Sequence, residues 1–188
     1  MRKVIFIVVM LIAVLYADEI ESLYNRGYAA YKAGKTQRAL TLFEQILTKN
    51  KEHHLSDNAN LWIGDIYLTQ AIEYDSLGDS TSLIKAREAY NKALEHFKRV
   101  LTYKDDKTPK IAAAKFKIGQ TYFYMGQYEK AELELVKFIA LHPTSGLVNP
   151  AEEYLYELRK IREESQTQPT VSDTTSPSSG RGTSRISE

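Results

Sequence analysis

Two adjacent histidines, His53 and His54, stand between Glu52 and Asp57, and these residue types could in principle ligate a metal ion. A tetrahedral zinc site needs its donors to converge on one point. Neighbouring positions on a helix point about 100° apart, so the two imidazoles diverge unless the backbone there is irregular. The cluster therefore reads as a solvated loop between structural units, and no metal is expected. Glycoside hydrolysis is the other chemistry the composition offers, since the chain has 24 Asp and Glu. That reaction needs two carboxylates facing each other at a defined separation. Here the acidic residues fall opposite the apolar stripes of their segments, where solvated charge is the ordinary state. The sequence contains no cysteine, and no phosphate-binding loop, nucleophile elbow or paired CxxC. Catalysis and cofactors are not expected.

The ends of the chain differ in composition from its middle. Met1-Arg2-Lys3 is basic, Val4 to Leu15 is wholly apolar, and Asp18-Glu19 turns acidic. That order describes a signal peptide over residues 1–17, cleaved near Ala17, and places the protein in the periplasm or otherwise outside the cytoplasm. The alternative is a retained membrane anchor, although the apolar stretch is short for a bilayer core of about 30 Å. Residues 165–188 are mostly Ser, Thr, Gln, Pro and Gly, a composition expected to stay disordered. Between them, residues 18–164 suffice for one domain. Loss of Arg2 and Lys3 would leave 23 of the 25 basic residues against 24 acidic ones. No basic patch points to nucleic acid.

Within that domain a spacing recurs. Gly27, Ala39 and Phe43 are separated by twelve and four residues, as are Gly119, Ala131 and Leu135. A middle copy keeps the gap of four between Ala93 and Phe97, but Gly64 precedes Ala93 by 29, an insertion of 17 residues at about 70–87. Two antiparallel helices that pack closely need a small residue on each where their backbones approach. The large residue one turn beyond the alanine would then fill the space between neighbouring hairpins. The apolar pattern gives helices over 19–33, 36–50, 57–77, 82–104, 109–125, 127–141 and 149–164. Gly34, Gly78 and Gly126 end the first helix of each pair. Thr108-Pro109 and Asn149-Pro150 start two others, with Glu152 completing a capping box on Asn149. The last helix, whose polar face carries Glu152, Glu153, Glu157, Arg159 and Lys160, would cap the apolar end of a solenoid.

These units resemble the tetratricopeptide repeat, which implies an all-α solenoid of three helical hairpins plus a C-terminal capping helix. Asn58-Ala59-Asn60-Leu61-Trp62-Ile63-Gly64-Asp65-Ile66-Tyr67 is further similar to a stretch of the periplasmic Tol–Pal-associated cell division coordinator family. So are Tyr24-Asn25, Tyr28-Ala29 and Ala39 to Phe43, and the third unit from Lys110 to Pro143. The resemblance implies an exported scaffold that binds envelope or cell-division machinery. A membrane-tethered outer-membrane assembly factor with an uncleaved N-terminal anchor is the alternative.

In such a solenoid the first helices line the concave face, which projects Tyr24, Tyr28 and Tyr31, then Trp62, Asp65 and Thr69, then Lys117, Gln120 and Tyr124 into it. Tyrosine and tryptophan offer large contact area at low entropic cost. Some of these rings are expected to pack between helices instead. The chaperone-binding repeats clamp a peptide's terminal carboxylate with charged side chains. Tyr24, Tyr28 and Trp62 stand at the matching faces here, so partner proteins or extended peptides of the envelope would be held by aromatic and apolar contacts. The inserted segment would lengthen the middle hairpin, with Asp75 to Ser82 as its tip.

Overall fold

A computed structural model describes residues 19–102 and 108–167, which form seven helices and no strand. Helix α1 covers 19–32, followed by α2 (Thr36–Lys49), α3 (Ser56–Leu77), α4 (Ser80–Val100), α5 (Pro109–Tyr124), α6 (Tyr128–Leu141) and α7 (Val148–Thr167). Residues 1–17 and most of the C-terminal segment, about which the sequence makes its export and disorder predictions, lie outside the described residues.

Helices such as α2 and α4 are amphipathic, whereas α3, in the middle of the stack, carries apolar residues around most of its circumference. On α1 the buried positions are Ile20, Leu23, Gly27 and Ala30, with gaps of three, four and three. Successive helices pack side by side, and α3 touches α5 as α5 touches α7. The apolar interior accordingly runs along the stack in three sections. One joins α1, α2 and the start of α3, the next joins the rest of α3 to α4 and to Ile118 of α5, and the last joins α5, α6 and α7. Ala151, Leu155 and Leu158 of α7 are buried in the last section, so this helix closes the end of the stack as the sequence implies.

The recurring glycines explain how each hairpin closes. A Cβ on Gly27 would lie 2.8 Å from Phe43 Cε1, one on Gly64 would lie 2.5 Å from Phe97 Cε1, and one on Gly119 would lie 2.8 Å from Leu135 Cδ2. Ala39, Ala93 and Ala131 are fully buried beside them. The large residue therefore lies across the glycine of its own hairpin. The sequence reading placed it between neighbouring hairpins. The glycine, lacking a Cβ, leaves the space that Phe43, Phe97 or Leu135 occupies.

The turns follow the same economy. Gly34 and Gly126 both take positive φ, 69° in each case. Gly34 N–H donates to Tyr31 O and Lys35 N–H to Ala30 O; Gly126 and Gln127 repeat the pair on Phe123 O and Tyr122 O. These are the two bonds of a Schellman closure, which a left-handed residue makes possible.

The middle hairpin differs by length. Helices α3 and α4 have 22 and 21 residues, against 16 and 14 for α5 and α6. The excess projects by roughly 10 Å at 1.5 Å per residue. The tip is tighter than Asp75 to Ser82. Helix α3 runs on to Leu77, Gly78 turns the chain, and the Asp79 carboxylate accepts from Thr81 and Ser82 N–H at 3.0 Å each, starting α4 at Ser80. A hydrogen bond from the Ser82 side chain, then the backbone bonds from Ser82 and Thr81, hold the Asp79 carboxyl below its ordinary range. Along the extension Ala71, Ala86 and Tyr90 are buried, whereas Leu77, Leu83 and Ile84 are exposed at the tip.

Two other boundaries move. Thr108 caps α5 as expected, its hydroxyl accepting from Ile111 N–H. Asn149 is no cap, because α7 begins one residue earlier, at Val148, and Ala151 N–H bonds the carbonyl of Leu147. The box with Glu152 does not form. Helix α4 stops at Val100 rather than 104, and α7 continues to Thr167, three residues into the segment expected to be disordered.

One buried polar group joins the two long helices. Asn60 Nδ2 donates to Ser56 O at 2.9 Å, so its Oδ1 must accept, and His96 Nδ1 lies 2.9 Å away. His96 thus carries its proton on Nδ1. Burial, with the Arg99 guanidinium nearby, lowers its pKa to about 4.

Two expectations follow. Gly→Ala in a helix interior ordinarily stabilises by about 1 kcal/mol. Gly64→Ala should instead destabilise by about 1–3 kcal/mol through overpacking against Phe97. Urea unfolding measures it, and a variant as stable as the parent contradicts this packing. For His96, the folded pKa lies below the unfolded value of 6.5. Its stabilising effect is complete above that value and is lost as pH falls toward 4. The melting temperature should fall more steeply over that range in the parent than in His96→Asn, which keeps a donor near Asn60; parallel curves would refute the assignment.

Candidate functional site

The side chains projected from the first helices do come together, in two linked groups. In the first, Trp62 of α3 is wedged against α1. Its ring centroid is 5.3 Å from that of Tyr28 and 4.9 Å from that of Tyr31, and its Nε1–H donates to the Tyr24 hydroxyl at 3.1 Å. Tyr24 in turn packs on Phe43, with ring centroids 6.0 Å apart. Tyr24, Tyr31 and Trp62 are half-buried, whereas Tyr28 is 39% exposed. These rings therefore do both jobs considered from sequence: they join α1 to α3 and leave an aromatic edge to solvent.

Asp65 is the centre of this group. It accepts from the Tyr31 hydroxyl at 2.5 Å through Oδ2 and pairs with Lys117 Nζ at 2.6 Å through Oδ1. One carboxylate thus ties α1, α3 and α5 together. Burial, then the hydrogen bond to Asp65, pushes the Tyr31 phenol well above its ordinary value. Lys117 is thus held by Asp65 rather than left to meet a partner's carboxylate. Thr69 stands apart; it is exposed, and its hydroxyl donates to the Asp65 backbone carbonyl at 3.0 Å.

The second group is built on a residue that the sequence reading missed. Tyr154 of α7 accepts from Gln120 Nε2 at 2.7 Å, and its hydroxyl lies 3.2 Å from that of Tyr124. That contact, with burial, pushes the Tyr124 phenol up to about 12. Tyr154 also packs edge-on against Phe123, centroids 4.9 Å apart. A signal existed: α7 is an odd-numbered helix and so continues the row of first helices. Its Tyr154 and Tyr156 were overlooked because the helix was read only as a cap.

Between α5 and α7 lies a groove of about 880 Å³, lined by Phe116, Gln120 and Phe123 of α5, by Leu147 just before α7, and by Tyr154, Tyr156 and three glutamates of α7. At the opposite edge of the stack, the rings of His53 and His54 lie 4.2 Å apart, and His53 Nδ1 accepts from Leu55 N–H at 3.2 Å. Burial, with His54 beside it, lowers the His53 pKa. Among the described residues no three His, Asp or Glu side chains gather where a metal could sit.

Models of the tetratricopeptide repeat match residues 20–53 and 113–145, the first and third hairpins. The fold is a tetratricopeptide-repeat solenoid. A solved structure, the tetratricopeptide-repeat domain of Arabidopsis OM64, superposes with a TM-score of 0.57 at 14% identity, covering 78% of this chain and 98% of that one. No curated protein matches the sequence. The middle hairpin matches neither repeat model, although it shares their closure of a large apolar side chain over a glycine, since its insertion breaks the spacing on which such models depend. Tetratricopeptide-repeat domains generally bind other proteins or peptides, and the fold is typically a non-catalytic scaffold.

If Asp65 organises the first group, Asp65→Ala should destabilise by about 1–3 kcal/mol, since it leaves the Tyr31 hydroxyl and Lys117 without their partner. Asp65→Asn, which still accepts from Tyr31, should lose less. Urea unfolding of both variants checks this, and no loss from Asp65→Ala would show that the carboxylate does not join the helices.

Proposed function

We propose that this chain is an exported scaffold of the cell envelope that holds a partner protein on the face of α1, α3 and α5. The observation that carries the reading is the row of part-exposed aromatic residues on adjacent first helices, Tyr24, Tyr28 and Tyr31 against Trp62, held in place by Asp65 and Lys117. Rigid aromatic side chains on a preformed surface lose little freedom when a partner docks. Export is supported by the order of basic, apolar and acidic residues from Met1 to Glu19. A role in coordinating envelope or cell-division machinery is supported by the similarity of Asn58 to Tyr67 to the Tol–Pal-associated family.

The test combines two measurements on the native protein. Mass spectrometry of the chain purified from its host should find an N-terminus at or near Asp18. A chain that retains Met1 to Ala17 would indicate a membrane-tethered factor, and one confined to the cytoplasm would overturn the envelope role. Covalent capture in cells should then be lost in Tyr28→Ala/Trp62→Ala. Because Trp62 also joins α1 to α3, this pair should lower the melting temperature while leaving helical circular dichroism intact. Undiminished capture would move the holding surface elsewhere.

A further inference from the structure

The groove between α5 and α7 has a chemistry that the rest of the first-helix face lacks. Its floor is aromatic, formed by Phe116, Phe123 and Tyr154, and Tyr156 stands at its edge 63% exposed. Its charged lining residues are Glu152, Glu153 and Glu157, with no lysine or arginine among them. All three carboxylates are exposed, and none forms a salt bridge with a lysine or arginine among the described residues. Elsewhere on this face the half-buried Asp65 is already paired with Lys117. Gln120 adds an acceptor just beneath the surface. Its Nε2 is taken by Tyr154, while its Oε1 is buried without a hydrogen bond.

We propose that this groove binds an extended peptide segment carrying lysine or arginine, which deepens the scaffold reading and rests on it. The aliphatic stem of such a side chain packs on aromatic rings while its head stays at the carboxylate rim. Glu153 and Glu157 are one helical turn apart and so present two charges in a row along the groove. A volume of about 880 Å³ is within the range that encloses a small ligand or a short peptide stretch. The charge complementarity runs opposite to that of a clamp for a peptide carboxylate: the protein supplies the anions and the partner the cations.

The experiment uses the full chain and two fluorescein-labelled peptides, blocked at both ends, one alternating lysine and alanine and the other alternating glutamate and alanine. Fluorescence anisotropy should show binding of the lysine peptide, weakened by added salt, and no binding of the glutamate peptide. Glu153→Gln/Glu157→Gln should weaken the lysine peptide by about fivefold. Glu88→Gln/Glu129→Gln, which removes two exposed acids elsewhere, should not. Equal loss in both double variants would mean diffuse attraction and overturn the groove assignment. Lack of lysine-peptide binding would also overturn it. Binding of both peptides that depends on Tyr28 and Trp62 but not on Glu153 and Glu157 would overturn the cationic preference and leave the scaffold reading standing. Self-association that disappears in Glu153→Gln/Glu157→Gln would identify a second copy of this chain as the occupant instead.

Discussion

A large side chain lying directly across a glycine is the contact on which each hairpin depends. Phe43 over Gly27, Phe97 over Gly64 and Leu135 over Gly119 set how closely the two helices of each pair approach. Once that distance is fixed, the buried alanines beside these contacts follow, since nothing larger fits. Conserving one closure in three hairpins lets them stack as equivalent units, even where the middle pair is six or seven residues longer than the third. The extra length is added beyond the closure, towards the Gly78-Asp79 turn, and leaves the stacking undisturbed.

The stack also determines where function can reside. Because the apolar faces of all seven helices are used in closing hairpins and joining neighbours, side chains on the outward part of α1, α3, α5 and α7 are left to meet other molecules. Outside the apolar core sections they share, these helices are joined across that face by polar and aromatic contacts. Trp62 reaches Tyr24, Asp65 reaches both Tyr31 and Lys117, and Tyr154 reaches Gln120 and Tyr124. Such contacts hold ring orientations while leaving ring edges to solvent. The surface is therefore rigid before any partner arrives, which limits the ordering entropy lost on binding.

Most of this arrangement could be read from the sequence because it rests on backbone rules. Gly34, Gly78 and Gly126 end helices by taking a conformation that other residues avoid, and a recurring order of glycine, alanine and, four residues on, a large apolar residue announces close packing. What could not be read depends on atoms that only three-dimensional placement brings together. Asn149 has the right type for a cap, but the chain enters α7 through Ser145, whose carbonyl and hydroxyl bond the N–H groups of Val148 and Leu147. The place of α7 in the row of first helices points to its outward face, but not to the contacts of Tyr154, whose partners Gln120 and Tyr124 lie 34 and 30 residues away. The roles of the nine projected residues separated in the same way. Helical periodicity places Thr69 and Asp65 on one face, yet only Asp65 is long enough and suitably placed to reach its neighbours.

The central claim is that partners meet the face of the odd-numbered helices. Site-specific photocrosslinking in the native host tests it most directly, with a photoreactive phenylalanine analogue placed in turn at Tyr28, at Tyr156 and at Val136, an exposed position on α6. The account predicts covalent adducts from Tyr28 and Tyr156 and none from Val136. Adducts from Val136 alone would put the partner on the opposite side of the stack and contradict it.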